Sequence, residues 1–86
     1  RSEIMNYNLH INKEGNIKIK YELKQNNDIS LLLYDLEGRQ LFAKSAVSQL
    51  SGHYHETIQI EKQSRGKYLL IIIVGDKKNV EKIVKF

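Results

Sequence analysis

Apolar and polar residues alternate along most of the chain, and this alternation predicts β-strands. In the clearest case, "NIKIKYEL", the lysines and the glutamate share one face, and the other face holds Ile17, Ile19, Tyr21 and Leu23. This pattern is typical of an antiparallel strand with one buried face. "NYNLHIN" and "YHETIQI" alternate in the same way, so we expect a strand from each.

Two stretches are apolar on both faces and are therefore predicted to be central strands. The first is "ISLLLYDL", and the second is an unbroken apolar run from Tyr68 to Val74. Because such a run would promote aggregation at the edge of a sheet, we expect it to be covered on both faces.

The last predicted strand ends at Phe86 and mixes apolar residues with lysines. Its apolar residues do not share one face, because one parity holds Ile83 and the other holds Val80, Val84 and Phe86. Lys82 and Lys85 are expected to point to solvent, where lysines protect an edge strand from pairing with other chains.

Glycines mark the predicted turns between the strands. In "DLEGRQL", Asp35 and Gly38 predict a hairpin turn in which Gly38 has a positive φ. The segment after this turn is ambiguous, since a spacing of four, as on a helix face, relates Phe42, Ala46 and Leu50. Its position directly after a tight turn favours a strand to about residue 45, followed by a loop.

Together these elements predict an all-β fold, an Ig-like seven-stranded antiparallel β-sandwich. The 86 residues are expected to form one domain, residues 1–86. The core between the two sheets is predicted to contain Ile17, Ile19, Leu31, Leu33, Ile58, Ile60, Leu70 and Ile72.

Composition and charge narrow the possible functions. The chain has no cysteine, so it has neither disulfides nor thiolate metal sites. The net charge of +4 is scattered along the chain, which favours solubility over binding to polyanions. We expect no nucleic-acid partner, because the apolar parity of the strands includes Tyr7, Tyr21, Tyr54 and Tyr68. No membrane-spanning segment is expected either, since the apolar runs are far shorter than the ~20 residues that a spanning helix needs.

The beginning of the chain is a polar stretch that opens with Arg1 and does not resemble a signal peptide. It also lacks an initiator methionine. We therefore expect the chain to be a piece of a longer protein or a mature form that has lost its leader.

No combination of residues predicts catalysis, so we expect a protein that is not an enzyme and has no cofactor. His53 and His55 lie two residues apart on one predicted strand, where both could face a metal. Glu56 and His10 are conceivable further ligands, but two surface imidazoles are the preferred interpretation. The carboxylates of Asp35 and Glu37 are interpreted as turn side chains rather than as a catalytic pair.

Three segments in this order, "ISLLLYDLEGRQLFAK", "SGHYHETIQI" and "RGKYLLIIIVGDKKNVEKIVKF", resemble the C-terminal sorting domain of proteins exported by the type IX secretion system, the Por secretion tail. The matching turn residues include Asp35 and Gly38. The matching residues of the last two strands are Gly66, Tyr68, Gly75, Lys82, Val84 and Lys85. The chain ends on Phe86, where the family often ends on lysine or arginine. We use the name sorting motif for the matching residues together with Lys67 and Phe86.

This resemblance implies an Ig-like sandwich at the end of a larger cargo protein, with the last strands acting as the secretion signal. The implied partners are the N-terminal cargo domain, the outer-membrane translocon and a sortase-like transpeptidase that removes the domain. The implied location is the cell surface or the medium, reached through the periplasm and the outer membrane. The alternative interpretation is an extracellular Ig-like interaction or carbohydrate-binding accessory module, which an exposed aromatic platform would favour.

Overall fold

Seven antiparallel strands and no helix form the secondary structure of residues 5–86, which are the residues that the computed structural model describes. The start of the chain at Arg1, and with it the prediction that no signal peptide is present, lies outside the described residues. The strands are β1 (Met5–Ile11), β2 (Ile17–Leu23), β3 (Asn27–Asp35), β4 (Gln40–Gln49), β5 (Gly52–Ile58), β6 (Gly66–Val74) and β7 (Lys77–Lys85).

The strands form two sheets, one with the order β1-β2-β5 and one with the order β4-β3-β6-β7. Every pairing within them is antiparallel. This confirms the predicted Ig-like seven-stranded β-sandwich. The terminal strand β7 is an edge strand of the four-stranded sheet, with β6 as its neighbour.

One hydrophobic core lies between the sheets and joins buried side chains from both. All eight predicted core residues are at most 1% exposed, which confirms the predicted core. The other buried members of the core are Tyr21, Leu23, Ile29, Tyr68, Val74 and Ile83. The inner face of each sheet is therefore apolar, as a sandwich requires.

Polar side chains join the two sheets along both open sides of the sandwich. On one side, the Tyr7 hydroxyl of β1 donates a hydrogen bond to the Glu81 carboxylate of β7. Burial, together with this hydrogen bond and the negative charge of Glu81, raises the pKa of Tyr7 to about 12. On the other side, Lys44 of β4 forms an ion pair with Glu56 of β5. These pairs satisfy polar groups at the border of the core, where an unpaired group would be costly.

The prediction that the fourth strand ends near residue 45 is wrong, because β4 continues to Gln49. The helical interpretation of the same segment is wrong as well. The register of β3 and β4 shifts between Ile29 and Leu31, and Ala46 adopts a φ of 49° there. The Ala46 backbone N–H donates to the Ser30 hydroxyl, 2.8 Å away, instead of to a strand carbonyl. This β-bulge breaks the two-residue alternation, so the second half of the strand could not be recognised from the pattern.

The hairpin turn between β3 and β4 is confirmed. Gly38 has a φ of 87°, a conformation that side chains with a Cβ rarely adopt. One Asp35 carboxylate oxygen accepts hydrogen bonds from the backbone N–H groups of Glu37 and Arg39, each at 2.9 Å, and the other accepts one from Arg39 Nε at 2.7 Å. Desolvation opposes ionisation of Asp35, but the hydrogen bonds outweigh it and lower the pKa of this carboxyl. Asp35 and Glu37 both contact the Arg39 guanidinium and act as turn side chains, as predicted.

The apolar run in β6 is central in its sheet, as predicted, but the prediction that it is covered on both faces is wrong. Tyr68, Leu70, Ile72 and Val74 are buried against the other sheet, whereas the alternate residues between them remain partly exposed. Within residues 5–86, no further layer of strands or helices lies on that outer face. One face of the run is therefore in contact with solvent.

Candidate functional site: the two faces of the terminal strand

The residues of β7 divide into an inner set and an outer set, because successive side chains of a strand point to opposite sides. Ile83 is 5% exposed and belongs to the core, so Glu81 and Lys85 share its inward parity. The opposite parity places Val80, Lys82 and Val84 on the outer face. The outer face of β7 has two valines and the inner face has one isoleucine, yet the core buries the isoleucine.

The inner set of β7 attaches the strand to the rest of the domain at three successive positions. Glu81 accepts the hydrogen bond from Tyr7 of β1. Ile83 packs in the core. The Lys85 ammonium group donates hydrogen bonds to the backbone carbonyls of Ile60, Glu61 and Gln63, at 2.6, 2.9 and 2.7 Å. These are all the donors that an ammonium group has.

The prediction that Lys85 points to solvent is therefore wrong, because its ammonium group binds the loop between β5 and β6. Asn16, which is 9% exposed, also binds this loop. The Asn16 side-chain oxygen accepts hydrogen bonds from the backbone N–H groups of Ile60 and Glu61, at 2.8 and 3.0 Å. Asn16 thus satisfies backbone donors of this loop while Lys85 satisfies backbone acceptors.

The outer set of β7 is exposed, and among residues 5–86 it has no such attachments. Val80 is 54% exposed, Val84 is 37% exposed and Phe86, just beyond the strand, is 95% exposed. Lys82 is exposed, as predicted. Exposed aliphatic and aromatic side chains next to lysines favour contact with another macromolecule, since large exposed apolar groups in one area are uncommon on monomeric proteins.

Three residues of the sorting motif have structural roles in the hairpin of β6 and β7. The Tyr68 hydroxyl, near the start of β6, donates a hydrogen bond to the backbone carbonyl of Ser64, four residues earlier in the chain. This arrangement is a tyrosine corner, which many Ig-like sandwiches have at the same strand. Gly66 has a φ of 141°. Gly75 has a φ of 61°, and a Cβ there would lie 2.8 Å from the Asn27 side-chain oxygen.

The sorting motif therefore separates into residues that shape the domain and residues whose side chains are exposed. Gly66, Tyr68 and Gly75 shape the β6–β7 hairpin, and Lys85 attaches its end to the neighbouring loop. The exposed members are Lys67, Lys82, Val84 and Phe86. The parity of Ile83 places Lys85 on the inner face and Lys82 on the outer face, but the acceptors of Lys85 could not be identified from the sequence, because they are more than 20 residues away along the chain.

The sequence analysis missed Glu81 and Tyr7, which join β7 to β1. The parity of Ile83 could have indicated that Glu81 faces inward, but the partner on β1 could not be inferred without the sheet order. It also missed the apolar outer face of the four-stranded sheet, because the run in β6 was expected to be covered.

The histidines do not form a metal site with the ligands considered. His53 and His55 project from the same face of β5, as predicted, and both are exposed. Glu56 lies on the opposite face of that strand, where it pairs with Lys44. His10 is on β1, two strands away across the sheet. Within residues 5–86, no group of three or more His, Cys, Asp or Glu residues could hold a metal ion.

The tyrosines do not form the exposed platform that would favour a carbohydrate-binding module. Tyr21 and Tyr68 are buried. Tyr7 and Tyr54 pack partly buried against the core, and the Tyr54 ring stacks on Tyr21 with a centroid distance of 5.4 Å. Tyr34 is partly buried on the outer face of β3, where its hydroxyl donates to Gln40 at 3.0 Å. In the part of the chain that the structure describes, no helix is long and apolar enough to cross a membrane.

The structure is thus an Ig-like sandwich whose terminal strand is attached on its inner face and exposed on its outer face. The chain matches the family of secretion system C-terminal sorting domains over residues 8–86, and it belongs to this family. No curated protein and no solved structure matches it. The family is the type IX secretion sorting domain that the sequence resembles, and its members are in general non-catalytic. Membership implies export to the cell surface or secretion, with an N-terminal cargo and the secretion machinery as partners.

Proposed function

We propose that this chain is a secretion and sorting signal that directs a larger, N-terminally attached cargo protein through the outer membrane by type IX secretion. In this proposal the domain is not an enzyme and acts by being recognised. Its partners are the outer-membrane translocon and a sortase-like transpeptidase, which the cargo reaches through the periplasm. The family match over residues 8–86 supports this function.

The observation that carries the proposal is the division of β7 into an attached inner face and an exposed outer face. The core contact of Ile83 and the hydrogen bonds of Lys85 fix the position of this edge strand. Its outer residues therefore have a defined arrangement. A receptor can then bind Lys82, Val84 and Phe86 without unfolding the domain, and the ordering entropy of the strand has already been lost on folding. We propose that these three outer residues are the recognised part of the sorting motif.

Removing the last residues of the chain would be an ambiguous test, since deletion of residues 84–86 also removes Lys85 and its three hydrogen bonds. The better perturbation keeps Lys85 and replaces only the outer set, with Lys82→Ser, Val84→Ser and Phe86→Ser combined. All three side chains are exposed, so this variant should unfold at nearly the same urea concentration as the parent.

The assay is surface display of a reporter protein fused in front of the domain, in a host with type IX secretion. The parent fusion should reach the surface, and the triple variant should remain in the periplasm. A matched control replaces Lys18 and Lys20 of β2 by serine, on the outer face of the other sheet, and should be exported normally. Normal export of a folded triple variant would contradict the assignment of recognition to these residues, and failure of the parent fusion to be exported would contradict the proposed function itself.

A further inference from the structure

The outer face of the four-stranded sheet carries a continuous apolar surface beside the terminal strand. The register places four side chains in one row across all four strands, and we call this row the apolar band: Ala43, Leu32, Ile71 and Val80. Leu69 and Ile73 of β6 extend the band on either side and are partly exposed. Outward-facing positions of a sandwich usually carry polar residues. An exposed apolar surface of this kind is typical of a binding site for another molecule.

Positive charge borders the band along the free edge of β7. Lys82 lies opposite Leu69 and Lys78 lies opposite Ile73, so the two lysines flank Val80 along the free edge of β7. Their aliphatic stems can cover the leucine and the isoleucine next to them, as lysine stems often do. Val80, which is 54% exposed, remains open between them. The band therefore has an apolar centre between two ammonium groups.

The spacing of the two lysines defines what would fit between them. Lys78 and Lys82 are four residues apart on one strand, and a strand advances by about 3.3 Å per residue, so their attachment points lie about 13 Å apart. A complementary partner has an apolar side chain that contacts Val80 and Ile71, with a carboxylate on each side of it. We propose that the apolar band, with Lys78 and Lys82, binds a protein segment that presents an apolar residue between two carboxylates about 13 Å apart. This inference rests on the proposed sorting function, and it specifies the chemistry of the receptor surface that contacts β7.

A second copy of this chain fits the band less well than an acidic protein partner. The carboxylate of β7, Glu81, faces inward and accepts the hydrogen bond from Tyr7. The carboxylates of Asp35 and Glu37 contact Arg39 in their turn. A second copy packed band against band would also bring the lysines of both copies to one interface, because Lys78 and Lys82 lie on the same face as Val80, and like charges oppose association.

A lipid bilayer also fits the band less well. The lysine side chains beside the band are longer than its apolar side chains. Val80 and Ile71 are therefore recessed relative to the ammonium groups. An interfacial element needs to insert its apolar face about 5–10 Å into the headgroup region. A flat, recessed band would leave only the lysines in contact with the headgroups.

The test begins with a photo-crosslinking amino acid in place of Val80, in the reporter fusion expressed in a host with type IX secretion. The matched control has the same amino acid in place of Lys20, which is exposed on the outer face of the other sheet. We expect a protein adduct from position 80 and none from position 20. Peptide mapping of the adduct should locate the crosslink at an apolar residue with an acidic residue on each side.

Charge reversal then tests whether the two lysines bind these carboxylates. The double variant Lys78→Glu, Lys82→Glu should lower the affinity for the purified partner by about tenfold or more, because the complementary charges become repulsive. Changing the two acidic residues of the partner to lysine should restore binding to the double variant. An adduct with lipid or with a second copy of the domain, the absence of any adduct at position 80, or an unchanged affinity after charge reversal would each overturn the inference.

The outcome separates this inference from the proposed function. If the fusion is exported and the double variant is exported equally well, the docking surface is wrong and the sorting function stands. If the fusion is not exported but the captured partner binds with the expected charge dependence, the sorting function is wrong and the docking surface stands.

Discussion

Replacing Lys85 with methionine removes the ammonium group from the loop between β5 and β6 while keeping an unbranched apolar stem. Three hydrogen bonds are lost, to the carbonyls of Ile60, Glu61 and Gln63. A typical hydrogen bond contributes about 1 kcal/mol net, so the three together contribute about 3 kcal/mol. Releasing the ordered end of a lysine side chain returns roughly 1 kcal/mol of conformational entropy. We therefore expect the free energy of unfolding to fall by about 2 kcal/mol.

The matched control is Lys82→Met, on the same strand and in the same motif but on the exposed face. Its effect should stay within about 0.5 kcal/mol, as is usual for surface substitutions. Urea unfolding followed by circular dichroism measures both variants. For a domain of this size the slope is about 1 kcal/mol per molar urea, so Lys85→Met should shift the midpoint by about 2 M. Equal shifts for the two variants, or a shift below about 0.5 M for Lys85→Met, would refute the role assigned to the Lys85 ammonium group.

Two further substitutions test the core and the hairpin turn. Ile72→Ala should lower the free energy of unfolding by about 2–5 kcal/mol, because Ile72 is 1% exposed and its truncation leaves a cavity in the core. A loss below about 1 kcal/mol in urea unfolding would show that β6 is not packed as described. Gly38→Val should destabilise the domain by more than about 1 kcal/mol, because φ is 87° and a β-branched residue is strained there. Nothing lies within 4 Å of the position that a Cβ at Gly38 would occupy. Asparagine tolerates a positive φ, so the Gly38→Asn variant should be nearly as stable as the parent. Equal losses of stability for valine and asparagine would contradict strain as the cause.

The strands and the buried faces of this domain could be predicted from sequence because both depend on a local, two-residue period. Ile17, Ile19 and Ile58 face the core in the structure, as their alternation indicated. The turn at Gly38 was predictable for a similar reason, since a positive φ is a local demand that glycine meets. The family resemblance was likewise visible in the order of the motifs, and the match over residues 8–86 confirmed it.

The length of β4 could not be predicted, because the bulge at Ala46 interrupts the period on which the prediction depended. The bulge is supported by the Ser30 hydroxyl, which belongs to the neighbouring strand. The pattern of a single strand contains no information about such a partner.

The alternating pattern along the chain determined which segments are strands and which face of most strands is buried. Only the tertiary structure decided which residues of the terminal strand are free, because that depends on contacts between distant parts of the chain. The alternation puts Lys82 and Lys85 on opposite faces of β7, but only the fold decides that the β5–β6 loop lies where it accepts hydrogen bonds from Lys85. The same holds for the apolar run in β6, whose exposure on one side depends on how many layers pack around it. Local periodicity is set by backbone geometry within a few residues, whereas the environment of a side chain is set by whatever the fold brings next to it.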